Sequence, residues 1–303
     1  MQIFGVISEP ALRLGVFAGV FAIMALLELM LPRRPLVVSK GQRWFTNAAI
    51  IGIDGLLVRL MAAFVIPLAA VAASLYTEQH NIGLFNWISL PFWLEVVAAV
   101  MILDLAIWFQ HLVSHKVPML WLFHRMHHSD RDIDVTTALR FHPIEIGLSM
   151  LYKIVLVFIL GPAPVAVVLF EVILNGSAMF NHANVKLPLW LDRIIRALFV
   201  TPDMHRIHHS IIQREHDTNY GFAMSIWDRM FGTYTDQPSK GHDAMTIGLA
   251  AYQHDGPSEL LWSLKLPLQG IAAGGSSAGS TDEVPQERRV ADAAAAGKPP
   301  VQK

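Results

Sequence analysis

The chain has 303 residues, 53% of them hydrophobic and only 16% charged, with a net charge of −1 and no cysteine. Soluble domains carry about 25% charged residues, so this composition points to a membrane, and the lack of a basic excess argues against nucleic acid as a partner. Without cysteine there are no disulfides, thiolate zinc sites or cysteine-held iron–sulfur clusters.

Residues 11–32 are apolar except for Arg13 and Glu28. Their length suits one bilayer crossing, which takes about 20 residues. No basic segment precedes this stretch and no clear cleavage site follows, so it reads as a retained span and not a signal peptide. A basic loop with Arg33, Arg34, Lys40 and Arg43 leads to a second apolar run over roughly 47–75, interrupted by Asp54 and Arg59. The loop at 76–86 has no Lys or Arg, and a third run over roughly 88–110 contains Glu95 and Asp104. By the positive-inside rule the basic loop is cytoplasmic and the 76–86 loop is not. Three crossings then put His111 at the cytoplasmic end of the third span.

Residues 116–143 are polar, and 144–180 are apolar but broken at Gly161-Pro162-Ala163-Pro164. A helix cannot run undisturbed through that segment, which predicts a hairpin of helices over about 145–160 and 164–180 that leaves on the side it entered. Residues 183–255 read as a helical cap. Residues 270–303, rich in Gly, Ala, Ser, Pro and charge, read as a disordered tail. The expected fold is all-α: a polytopic membrane protein of about three spans plus a helical hairpin, whose cytoplasmic helical cap holds a histidine-rich dimetal site. The expected organisation is an N-terminal transmembrane region over 1–90, a catalytic domain over 91–255, and an amphipathic segment with the tail over 256–303.

Three histidine boxes carry the chemistry: His111-x3-His115, His124-x2-His127-His128 and His205-x2-His208-His209. Neutral imidazole is the commonest protein metal ligand, and positions i, i+3 and i+4 share one face of a helix. Pro118 can end one helix and start the next. Thr201, Pro202 and Asp203 fit the N-cap, N1 and first-turn positions of the helix with the third box. The eight box histidines and His182, at the end of the hairpin, would give two metals four or five nitrogen ligands each. His142, before Pro143, is a candidate further ligand. Asp104 lies seven residues before His111, about 10 Å deeper on the same face, and is a candidate acceptor for an imidazole N–H. Glu145 and Asp228 are candidates for the same role, with helix-start and turn-capping roles as their alternatives. His80, His216, His242 and His254 lack box spacing and are left out. An imidazole shell accepts iron, zinc, copper or nickel.

From about Asp104 to Tyr234 the chain resembles the fatty acid hydroxylase/sterol desaturase superfamily of membrane-bound di-iron oxygenases. The matching segments are HLVSH (111–115), PMLWLFHRMHHSD (118–130), RFHPIE (140–145), NHANVKLP (181–188), TPDMHRIHHS (201–210) and NYGFAMSIWDRMFGTY (219–234). One departure is at WFQHLVSH (108–115), where Leu112 replaces the basic residue common after the first histidine. The resemblance implies two iron ions held by the box histidines, activating O2 to hydroxylate or desaturate a lipid such as a sterol or a fatty-acyl chain. No dinucleotide glycine fingerprint is evident, so a separate electron donor (a ferredoxin, cytochrome or reductase) is implied, with the lipid substrate arriving from the bilayer. Rival readings of the same histidines are a zinc-dependent membrane hydrolase and a metal-binding transporter.

Overall fold

Apolar runs long enough to bury their backbone polar groups within one helix set the framework. A computed structural model describes residues 2–3, 7–61, 63 and 70–272. A short antiparallel pair, β1 (Gln2–Ile3) and β2 (Ile7–Ser8), precedes α1 (Glu9–Met30). Then come α2 (Lys40–Leu60), α3 (Ala70–Gln79), α4 (Leu84–Trp87), α5 (Phe92–Lys116) and α6 (Pro118–His128). A 3-10 turn (Val135–Leu139) leads to the hairpin of α7 (Pro143–Leu160) and α8 (Pro164–His182). Short helices follow: α9 (Leu189–Arg196), α10 (Pro202–His208), α11 (Gln213–His216), α12 (Ile226–Met230) and α13 (Gly241–Ala244). The last described helix, α14 (Leu260–Ala272), packs on α6 and α2.

The protein is all-α in class, and four of the described helices, α1, α5, α7 and α8, are long and apolar enough to cross a membrane. The hairpin turns where the sequence predicts. Gly161 ends α7 in the left-handed conformation at φ 60°, against the backbone of Ile82 and Gly83, where a Cβ would have no room. Pro164 then opens α8 at its first turn.

The second apolar run departs from the expected span over 47–75. Helix α2 begins seven residues earlier, at Lys40, ends at Leu60 and is not among the four, and α3, from Ala70, packs on α7 and α8. The reason lies on the inner face of α2, where Arg43, Thr46, Asn47 and Asp54 are buried. Residues 62 and 64–69 of that run, and the expected tail from 273 onward, lie outside the described residues.

Those buried polar groups anchor the segment that connects α6 to α7. The Arg43 guanidinium donates to both oxygens of Asp130 at 2.7 and 2.9 Å and to Asp134 at 2.7 Å. Arg140 donates to the Met126 and Pro257 carbonyls and to Asn47, Ser129 and Ser263, which joins α6, α2 and the start of α14. Glu28, near the end of α1, accepts the backbone N–H groups of Val135 at 2.6 Å and Asn184 at 2.9 Å. A charge that interrupts the first apolar run is therefore the clamp that fixes α1 to the site.

Candidate metal centre

Four helix ends meet on one side of the bundle: the last turns of α5 and α8, the whole of α6, and α10. Pro118 starts α6 as expected, and Thr201 Oγ1 caps α10 by accepting from Met204 N, with Pro202 in the first turn and Asp203 beside it. The structure brings together all nine histidines from the three boxes and position 182, in two groups. His111, His115, His124, His128 and His208 form one, and His127, His182, His205 and His209 form the other. Within each group one ligand atom per residue lies within 4.8 Å of all the rest.

Helix periodicity explains the partition. At 3.6 residues per turn, positions i and i+4 are offset by only about 40°. His111/His115, His124/His128 and His205/His209 are such pairs, and each pair stays in one group. The remaining box histidine points elsewhere: His127 leaves the second box for the group of the third, and His208 leaves the third for the group of the first two. The two groups are thus interlocked through α6 and α10.

The hydrogen-bond pattern shows what this cluster fits. His111 Nδ1 donates to the Tyr220 carbonyl at 2.7 Å, His208 Nδ1 to the Thr218 carbonyl at 2.7 Å, and His124 Nδ1 to Glu145 Oε1 at 2.6 Å. In the other group His182 Nδ1 donates to the Ala178 carbonyl at 2.7 Å and His127 Nδ1 to the Arg140 carbonyl at 3.3 Å. A neutral imidazole that gives its one proton on Nδ1 keeps a bare lone pair on Nε2. Yet His111 and His124 face each other Nε2 to Nε2 at 3.2 Å, His208 and His111 at 3.0 Å, and His182 and His127 at 3.1 Å. No proton is left to bond these pairs, so converging lone pairs meet in a buried space. Among the described residues, both ring nitrogens of His209 and Nδ1 of His205 have no hydrogen-bond partner. Buried polar atoms without partners are costly, and a cation in each group removes that cost.

Electrostatics agree. Burial, and then the neighbouring imidazoles, push His127, His128, His205 and His209 well below the ordinary histidine range. His208 is lowered in the same way, burial outweighing its bond to the Thr218 carbonyl. These rings are therefore neutral at physiological pH, the form that binds metal.

The other candidates divide by contact. Glu145 meets an imidazole, as described, and Asp228 supports one indirectly. Its carboxylate accepts from Tyr220 N and Gly221 N at 2.9 Å and Trp108 Nε1 at 3.0 Å, fixing the turn whose Tyr220 carbonyl takes the His111 proton. Asp104 is a correction. It touches no imidazole in the hydrogen-bond pattern and accepts instead from Trp227 Nε1 at 2.8 Å and Met224 N at 3.2 Å, so the 219–234 segment takes up its carboxylate. His142 is also corrected: it is the N-cap of α7, its Nδ1 accepting from Ile144 N and its Nε2 facing the Leu264 carbonyl. Leu112 is part-buried against Trp108, Tyr220 and Trp227, where a basic head would be desolvated.

Reading by spacing missed the carbonyls of Ala178, Arg140, Thr218 and Tyr220, since backbone acceptors have no side-chain signature. It also set aside His216, whose ring stacks on Trp121 at 5.7 Å and lies 6.1 Å from both His115 and His128. Its spacing from the third box, seven residues past His209, was the available hint.

Among known proteins, residues 96–233 match the family model described as fatty acid hydroxylase. The chain is 30% identical over 231 residues to the ornithine lipid hydroxylase OlsE of Rhizobium tropici, covering 74% of this chain and 67% of that protein. The chain belongs to the fatty acid hydroxylase/sterol desaturase superfamily. Membership makes it an O2-dependent oxidoreductase acting on lipid. More distant superfamily relatives include the alkylglycerol monooxygenase of Xenopus tropicalis, 31% identical over 138 residues (44% of this chain, 28% of that protein). The cholesterol 25-hydroxylase of Rattus norvegicus is 26% identical over 147 residues, or 48% of each chain. The chain thus spans two thirds of the ornithine lipid hydroxylase but less than half of these two relatives. No solved structure matches.

Within this superfamily site, Glu145 tests how the metal groups are held. Partners behind a metal-bound imidazole typically change affinity 10–100-fold when removed. Glu145→Leu, which deletes the acceptor for His124 Nδ1, is expected to lower metal affinity by about that factor in a chelator competition. Unchanged retention would mean that the carboxylate does not orient the ring.

Proposed function

We propose that the chain is a membrane-bound di-iron lipid hydroxylase, with one iron at His111, His115, His124, His128 and His208 and the other at His127, His182, His205 and His209. The observation that carries this reading is the split of nine histidines, eight of them buried, into two adjacent groups of facing lone pairs. Bound there, two irons supply the O2 activation and C–H oxidation that imidazole cannot perform. Oxygen insertion is favoured over desaturation because the relatives named above are a lipid hydroxylase, a monooxygenase and a sterol hydroxylase. On this reading residues 91–255 are the catalytic domain behind a membrane region over 1–90, and 256–303 are an appended segment.

The chain's own residues supply position and shelter. A mostly apolar cavity of about 210 Å³ lies between α5, α6 and α7, walled by Phe109, Val113, Leu120, Phe123 and Leu148 and reaching Glu145. Glu145 is also the partner of His124, so the cavity ends one residue from the cluster. Phe109 and Leu148 are exposed on helices long and apolar enough to cross the membrane, which supports lateral access for a lipid chain. Electrons come from a separate donor. The cytoplasm is the side of the site, supported by Arg34 and Lys40 around the loop that follows α1, while Arg33 and Arg43 are taken up by ion pairs with Asp203, Asp130 and Asp134 and drop out of that count.

The test is metal content of the purified protein together with product formation from lipid, reductant and O2. The expected result is about two irons per chain and product only when all three are present. Leu148→Trp, which fills the cavity, is expected to keep the irons and lose the product. Turnover without O2 would overturn the oxygenase and favour the hydrolase; full turnover in Leu148→Trp would overturn the cavity assignment.

A further inference from the structure

Helix α9 is inside out for a protein in water. An ion pair turns inward: Arg196 is buried, paired with Asp192 at 2.8 Å and donating to the Asp236 carbonyl at 2.9 Å. Its large apolar residues turn outward, with Trp190 64%, Ile194 63% and, just beyond its end, Leu198 61% exposed. Helix α12 repeats the pattern. Asp228 is fully buried, while Met230 and Phe231 are 62% and 53% exposed. A contiguous apolar surface of this kind marks contact with another apolar phase.

The surface is continuous with a membrane span, which identifies that phase. Leu198 and Val200 are zipped to the segment before α12, through Ser225 N to the Leu198 carbonyl and Val200 N to the Ala223 carbonyl. Phe231 stacks on Trp108 of α5 at 4.6 Å. Trp108 sits eight residues before the end of α5, about 12 Å back along that helix. The outward face of α12 therefore emerges beside α5, a helix long and apolar enough to cross a membrane. Lys186 and Arg193 are exposed along α9, the placement of basic groups that reach lipid headgroups while apolar neighbours enter the acyl boundary.

We propose that α9 and α12 form an interfacial foot that lies in the bilayer leaflet on the side of the histidine cluster, with Trp190, Ile194, Leu198, Met230 and Phe231 immersed in lipid. The foot holds the cap against the membrane and sets the height of the cluster relative to the acyl chains. Its surface is made by residues other than the histidines, so it stands whether or not those groups hold iron.

The chain has no cysteine, so single nitroxide labels can be placed on an otherwise native background. Ile194→Cys, Leu198→Cys and, as a control on the cap, the exposed Lys240→Cys are labelled in full-length protein, reconstituted in phosphatidylcholine/phosphatidylglycerol vesicles. A monodisperse size-exclusion peak in detergent before reconstitution verifies that each variant is folded. The proposal expects labels at 194 and 198 to collide several-fold more with O2, relative to a water-soluble nickel chelate, than the label at 240. Equal accessibility to the nickel chelate at all three positions would place α9 in water and overturn it. Protection of 194 and 198 from both reagents would mean that protein, such as a second copy, covers the helix, and would also overturn it.

Discussion

Replacing His209 with alanine is expected to lower bound metal from about two ions per chain to about one and to abolish lipid oxidation, with the protein still folded in the membrane. His209 belongs to the smaller group, so its loss leaves only His127, His182 and His205 there, while the five-histidine group is untouched. Neither of its ring nitrogens has a hydrogen-bond partner among the described residues, so no lost hydrogen bond obscures the result. The comparison is His142→Ala. That histidine caps α7, so its loss should cost about 1 kcal/mol of stability and leave both metals and turnover in place. Metal analysis, turnover and size-exclusion in detergent read all three quantities. Two metals retained in His209→Ala, or a metal lost in His142→Ala, would break the assignment of ligands to groups.

Arg43→Ala is expected to be the most damaging change outside the histidines. Arg43 is 1% exposed and faces two carboxylates, Asp130 and Asp134, that are themselves buried. Deleting one side of such a cluster strands charge in a low dielectric and typically costs 3–5 kcal/mol, so a loss of about that size is expected in thermal or denaturant unfolding. Arg43→Lys should recover part of it, since an ammonium restores charge without the two-pronged fork. Acid dependence gives a second readout. Burial alone would raise Asp130, but the Arg43 charge and hydrogen bonds outweigh it and hold the carboxylate below its ordinary range. A depressed carboxylate contributes stability above its unfolded pKa and loses it as pH falls through the folded value. The gap between wild type and Arg43→Ala should therefore be full at neutral pH and shrink in strong acid. A gap that does not change with pH would mean that the ion pair is not its source.

Much of this organisation is readable along the chain because it depends on local rules. Apolar runs of bilayer length are visible as α1, α5, α7 and α8, and Gly161-Pro162-Ala163-Pro164 announces the hairpin, since neither a left-handed glycine nor two prolines can continue a helix. Pro118 and Thr201-Pro202 mark helix starts by the same logic. Box spacing reveals which histidines share a helix face. Where long-range pairing overrides local pattern, reading by periodicity goes astray: Arg43 reads as a loop residue and Asn47 as the start of a span until Asp130, Asp134, Thr136 and Arg140 are seen to complete them. Asp104 has the right spacing from His111 but is taken up by Trp227, more than a hundred residues away.

The division of the histidines shows the boundary between the two kinds of information. That His124 goes with His128 and His205 with His209 follows from 3.6 residues per turn and is written in the spacing. That the second box joins the first helix while its middle residue, His127, crosses to His182 and the third box depends on how α5, α6, α8 and α10 are packed. That packing is set by contacts far apart in the chain, including Glu28 to Val135 and Asn184, Arg43 to Asp130 and Asp134, and Arg140 to the start of α14. Residue types and helical faces are local properties. Which faces meet is a property of the assembled bundle, where burial of a charge is tolerable only once its distant partner has arrived.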